Sequence, residues 1–178
     1  MRIGKMLTIG ACVLAPAMTM AQAPSLQEQL SAQYKVTRVG KITGTPTIVE
    51  AGTVLEVQKT GIAAFPPNSI RDCSSSYQNG NIKEPGKFCT NMAAARGQRP
   101  LYLATGEKVY ITKLEVNTEK DKVTLEVLEC DTCNAVKEPS SYKAEVNFLF
   151  AKGTLSSASA GQVEDTIGQL FAISNGGK

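Results

Sequence analysis

Between Lys108 and Phe150 the chain alternates apolar and polar residues with a period of two, and no other feature restricts its fold as much. Lys108 to Val116 and Val123 to Leu128 flank the polar turn Asn117-Thr118-Glu119-Lys120-Asp121-Lys122, with Leu101-Tyr102-Leu103 and Gly106 leading in. Val123, Leu125 and Val127 share one face, and Thr124 and Glu126 take the other. Tyr142, Ala144, Val146, Phe148 and Phe150 then oppose Lys143, Glu145 and Asn147. Successive side chains of a strand point to opposite faces, so the pattern predicts a three-strand antiparallel meander with one buried face.

Other segments supply the remaining elements. Residues 25–33 carry a Ser25/Glu28 capping pattern and Leu26/Leu30 spacing, which predicts a short helix. Tyr34 to Val39 reads as a strand, followed by a loop punctuated by Gly40, Gly44 and Pro46. Thr47 to Val49 and Thr53 to Gln58, separated by Gly52, read as strand entered through a tight turn. Residues 159–173 change to helical spacing, with Val163, Ile167, Leu170 and Phe171 on one stripe, a Ser159/Gln162 capping box, and Asn175-Gly176 as the stop. From about residue 60 to 100 periodicity disappears among Pro66-Pro67, Ser74-Ser75-Ser76, Asn79-Gly80-Asn81, Pro85-Gly86 and Gly97. The expected fold is mainly β: a single domain over residues 22–178, built as a small antiparallel barrel or curved sheet of about five to seven strands. A C-terminal amphipathic helix closes it, and a stapled loop excursion interrupts it.

The first 21 residues belong to a different class of segment. Arg2 and Lys5 precede an uncharged apolar run from Met6 to Ala17 and small residues ending at Ala21, the order of a secretory signal cleaved near Ala21. Pro16 interrupts the run, which is shorter than the roughly 18–20 residues of a membrane span, so no transmembrane segment is expected. Ile9-Gly10-Ala11-Cys12 resembles a lipid-attachment site. Anchoring at Cys12 is nevertheless disfavoured, because Val13 to Met20 would replace the polar leash a tethered domain needs. The expected location is the periplasm or the exterior.

Composition then closes several functional classes. The 178 residues include no His, which removes Ser-His-Asp and Cys-His nucleophile systems and His-ligated zinc. Without residues 1–21, which hold Arg2 and Lys5, the 19 basic residues fall to 17 against 16 acids, too balanced for a charge-driven nucleic-acid binder. Glu126 and Glu145 on adjacent strands could be a carboxylate couple, but their alternation with Thr and Lys marks them as solvating charges. No catalytic residue, metal site or cofactor is expected.

Four cysteines remain after Cys12 is set aside, an even number that in an oxidising compartment reads as two disulfides. Three pairings are possible; Cys73 with Cys89 and Cys130 with Cys133 link neighbours in sequence. Cys130-Asp131-Thr132-Cys133 also admits a redox pair or half of a zinc site. Its position after a strand, with Glu129 and Asp131 beside it, disfavours the thiolate of a redox pair, and the spacing Cys-x15-Cys-x40-Cys-x2-Cys has one close pair where zinc ribbons present two. The 60–100 excursion has a local excess of cations: Arg71, Lys83, Lys87, Arg96 and Arg99 against Asp72 and Glu84. With Tyr77 and Phe88 these form a candidate contact surface for an anionic envelope or extracellular partner. The expectation is an exported, non-catalytic binding or structural module. The alternative is a thiol-disulfide oxidoreductase or redox sensor using Cys130 and Cys133, and assembly through a sheet edge is a further possibility.

Gly106-Glu107-Lys108-Val109-Tyr110-Ile111 with its hairpin, Tyr142 to Gly153 and the closing helix through Ile173 resemble the C-terminal half of small exported proteins of unknown function from Acidobacteria-like bacteria. The resemblance spans roughly the last 75 residues. It implies an exported β-rich domain and transfers no site residue.

Overall fold

The computed structural model describes residues 23–42, 45–67, 73–137 and 140–174. The expected signal segment with Cys12, Arg71 of the expected contact surface, and the expected helix stop Asn175-Gly176 lie outside them. The fold is mainly β, a curled half-barrel sheet with a C-terminal helix. Helix α1 (Leu26–Gln33) comes first, with the Ser25/Glu28 capping box formed. Strands β1 (Arg38–Ile42) and β2 (Thr45–Glu50) follow, then β3 (Val54–Val57) and β4 (Ala63–Phe65). The middle of the chain forms β5 (Ser74–Gln78), β6 (Asn81–Lys83), α2 (Lys87–Ala95) and β7 (Leu101–Tyr102). The last third forms β8 (Lys108–Asn117), β9 (Lys122–Glu129), β10 (Lys143–Leu149), α3 (Ala160–Gly168) and β11 (Phe171–Ile173).

The meander forms where alternation predicts it. β8 pairs with β9 and β9 with β10, both antiparallel, with Val146 opposite Leu125 and Phe148 opposite Val123. A bulge after Ile111 frees Thr112 from the ladder, and its hydroxyl donates to the Glu126 carboxylate at 2.7 Å. The sheet continues as β11-β3-β8-β9-β10-β4-β7. β10 shares its second edge: Lys143 and Ala144 face β4 antiparallel, while Glu145 to Phe148 face β5 in parallel. One core holds Leu55, Ile111, Leu125, Val146 and Phe148 from the sheet together with Leu30, Val163, Ile167, Leu170 and Phe171.

Four expectations change. The loop after Val39 is a hairpin, β1–β2, forming its own two-stranded sheet, because Val39 and Ile48 continue the extended pairing through Gly40 and Pro46. Tyr34 caps α1, and among the described residues no strand begins before Arg38. The 60–100 excursion is largely ordered into β4–β7 and α2, and it brings a parallel strand into a sheet expected to be antiparallel throughout. The final helix stops at Gly168, and the chain turns into β11, which pairs with β3. Leu170 and Phe171 are buried as expected, but the turn and strand after α3 carry them.

Glu126 and Glu145 sit directly opposite across β9–β10. Burial alone would raise Glu126, but the Lys143 ammonium at 2.6 Å and the Thr112 hydroxyl outweigh it and hold the carboxyl below its ordinary value. An acid held that low is unsuited to donating a proton.

Two close approaches fix the chain path. Gly52 lies where the chain crosses residues 35–37: a Cβ there would sit 2.2 Å from the Lys35 carbonyl oxygen. Asp121, in the β8–β9 turn with φ +47°, accepts from the amides of Gly153 (2.8 Å) and Leu155 (3.0 Å), so it ties that turn to the segment leading into α3.

Truncating Phe148, fully buried at the centre of the core, to Ala is expected to cost about 3–5 kcal/mol in chemical denaturation, whereas Val49→Ala on the exposed hairpin changes stability by about 0.5 kcal/mol or less. The amides facing Asp121 hold its carboxyl below its ordinary value of 3.8, so its contribution is complete above roughly pH 5 and fades as pH falls through the folded-state value. Denaturation of wild type and Asp121→Asn at a series of pH values is expected to give a constant difference above about pH 5 that shrinks below about pH 4.

Candidate binding surface

The Cys73 and Cys89 sulfurs lie at disulfide-bonding distance, with Cα atoms 5.6 Å apart, and so do Cys130 and Cys133, at 5.2 Å. The first pair fastens α2 beside the start of β5. Helix α2 begins at Gly86 without a side-chain cap, and among its residues only Ala93 is buried, against Ala63, Phe65 and Cys73 in a small second core. A nine-residue helix with so little burial is marginal alone, so the cross-link supplies much of its restraint.

What α2 presents outward is apolar as well as cationic. Phe88 is 79% exposed, and Met92, one helical turn on, is 37% exposed. Strand β7, which among the described residues pairs only with β4, also exposes Leu101 and Tyr102. Lys83, Lys87, Arg96 and Arg99 are all exposed on the same stretch of chain, and none forms an ion pair with another described residue. Partial burial, then the neighbouring Glu84 carboxylate, pushes the Tyr102 phenol up, so it remains a neutral hydroxyl.

Tyr77 does not belong to this surface. Because β5 pairs in register with β10, Ser75 and Tyr77 point inward, and Tyr77 is 1% exposed. Its ring meets Phe148 edge-on at 5.8 Å and its hydroxyl donates to Gln169. Met92, Leu101 and Tyr102 are missing from the surface that the sequence suggests. The spacing of Phe88 and Met92 with Ala93-Ala94-Ala95 carries a helical signal, which the surrounding Pro and Gly obscure.

The second cysteine pair has different surroundings. Cys130 is fully buried and Cys133 half-buried, in a turn after β9 from which no helix starts. Asn134 clamps this turn to β8 by accepting from the Lys108 amide and donating to its carbonyl, both at 2.9 Å. Asp131 accepts from the Ser140 amide at 3.2 Å. Burial, then Glu129 and Asp131, raises Glu107 against the lowering by the Ala104 amide. Negative charge of this kind opposes a thiolate, and no helix N-terminus offsets it.

Among the described residues, no group of three or more His, Cys, Asp or Glu is placed to hold a metal, and no helix is long and apolar enough to cross a membrane. Compared with protein-family models, curated proteins and solved structures, the chain matches none.

The double variant Cys73→Ser/Cys89→Ser is expected to lose about 3 kcal/mol, the chain-entropy value for a loop closed over a separation of 16 residues. Amide exchange should speed first and most in residues 87–95, while β8–β10 stays protected. Equal acceleration throughout would mean that the cross-link does not hold α2 locally.

Proposed function

We propose that the chain is an exported, non-catalytic binding module of the bacterial envelope, and that the α2–β7 face receives an anionic polymer of the cell surface. The observation that carries this reading is Phe88, 79% exposed on a helix fastened by a disulfide and accompanied by Lys87, Arg96 and Arg99. Exposed apolar side chains gathered within a polar rim mark interaction sites, and fixing them in advance lowers the ordering cost of binding. The cationic rim steers and orients an anionic partner, while Phe88 and Tyr102 offer flat apolar faces for the non-charged faces of sugar rings. The signal-like first 21 residues and the even set of four cysteines beyond them support export.

The thiol-disulfide alternative draws support from Cys133, which is less deeply buried than Cys130, but the acidic surroundings weigh against it.

The test is affinity of residues 22–178 for an immobilised carboxylated polysaccharide across a salt series. Arg96→Gln/Arg99→Gln is expected to weaken binding at low salt and flatten its salt dependence, and Phe88→Ala to weaken it roughly tenfold with the salt slope unchanged. Unaltered binding by both variants would remove α2 as the contact surface.

A further inference from the structure

Helix α2 opens at Gly86 with no side-chain cap and no acid in its first turn. The amides of Lys87, Phe88 and Cys89 find no hydrogen-bond acceptor among the described residues. Such N–H groups carry the positive end of the helix dipole. Cys89 stands third in this turn, the position from which a capping glutamate ordinarily reaches back to the N-cap amide. Lys87, two residues before it, is an exposed cation in no ion pair with a described residue. Glu84, the acid nearest to Cys89 in sequence, is engaged with the Tyr102 phenol.

The two disulfides therefore sit in opposite electrostatic settings. Free amides at a helix start and a nearby cation stabilise a thiolate, whereas carboxylates and burial oppose one. Cys130 is fully buried, its turn starts no helix, and Glu129 and Asp131 flank it. Opening that pair would also disturb a turn that Asn134 clamps to β8. In the other pair Cys89 is less deeply buried than Cys73, which packs into the small apolar core of Ala63, Phe65 and Ala93. Opening it releases only α2, whose one buried residue is Ala93. Accessibility, charge and the small amount of structure at stake all favour exchange at Cys73–Cys89.

We propose that Cys73–Cys89, and not the closely spaced Cys130–Cys133, is the redox-active disulfide of this protein, exchanging with an external dithiol. A thiolate of the dithiol attacks the Cys89 sulfur; the bond to Cys73 breaks, and Cys73 leaves with the electron pair and takes a proton in its apolar surroundings. The second thiol of the dithiol loses its proton to water and attacks its neighbour's sulfur. The mixed disulfide breaks and Cys89 leaves as a thiolate, held by the first-turn amides of α2. The dithiol is oxidised to a disulfide by two electrons, and Cys73 and Cys89 gain them. Reduction thus gives α2 the N-terminal anion it lacks, so the reduced chain keeps more of this helix than one with serines at 73 and 89. The exchange does not depend on what the α2–β7 face binds.

Residues 22–178 with both disulfides formed are equilibrated in mixtures of reduced and oxidised dithiothreitol, alkylated with iodoacetamide and mapped by peptide mass. Cys73 and Cys89 are expected to become labelled together at a milder potential than Cys130 and Cys133. Simultaneous opening, or the reverse order, overturns the proposal. In the protein reduced at this first step, the alkylation rate of Cys89 against pH should place its thiol at least one unit below the ~8.5 of a free cysteine. Cys73→Ser, with Cys130–Cys133 left oxidised, should give the same value, and a value at or above ~8.5 in both samples overturns the proposal. Gly86→Asp separates thiolate stabilisation from a merely structural role. Gly86 is extended, at φ −60° and ψ 153°, and a Cβ there meets nothing within 4 Å, so the position accepts a side chain. The aspartate caps the first-turn amides and adds like charge, so α2 amides should exchange more slowly while Cys89 alkylates several-fold more slowly at pH 6. Slower amide exchange with an unchanged Cys89 rate would show that the helix start does not stabilise the thiolate, and would overturn the proposal.

Discussion

The divided edge of β10 organises the molecule. One side of this strand is an ordinary antiparallel ladder with β9; the other is shared between β4, which pairs with its first residues, and β5, which pairs with the rest in the opposite sense. That division admits the middle third of the chain into the sheet. It also sets the surroundings of β5: Ser75 and Tyr77 turn into the core, Cys73 arrives where Cys89 waits, and α2 is left outside. A polar row crosses the same three strands on the face away from the core, with the Thr124 hydroxyl on Asn147 at 2.8 Å and the Asn147 amide on Ser74 at 2.7 Å. Cross-strand polar pairs of this sort satisfy groups that the pairing would otherwise leave unbonded.

Where a segment's pattern is local, the sequence is a good guide. The β8–β9–β10 meander, the capping boxes at Ser25 and Ser159 and the two cysteine pairs depend on residues near one another in the chain, and each is present. Long-range pairing is where legibility fails. β4, β5 and β7 are two to five residues long, too short for a period to register, and they are extended because β10 and β4 stand beside them. β11 shows the same limit: Leu170 and Phe171 continue the helical stripe of Val163 and Ile167, yet pairing with β3 claims the chain after Gly168.

The candidate surface is legible in its charges and illegible in its geometry. Lys83, Lys87, Phe88, Arg96 and Arg99 are exposed as their composition suggests. Tyr77 is not, since a tyrosine between serines and polar residues gives no sign of a parallel neighbour whose Phe148 will cover it. The groove lined by Tyr34 and Glu164 has no sequence signal at all, because these residues come from opposite ends of the chain and meet only through the packing of α1 on α3.

Both disulfides join consecutive cysteines, across separations of 16 and 3 residues, so neither links the first third of the chain to the last. Each ring can therefore close as soon as its second cysteine is available, before β3 has met β11 or β10 has divided its edge. From Cys73 onward, oxidation in order of appearance joins the pairs that the fold holds, so the two rings need no reshuffling of their bonds. The slow step is left to the sheet, whose outermost strands come from distant parts of the sequence.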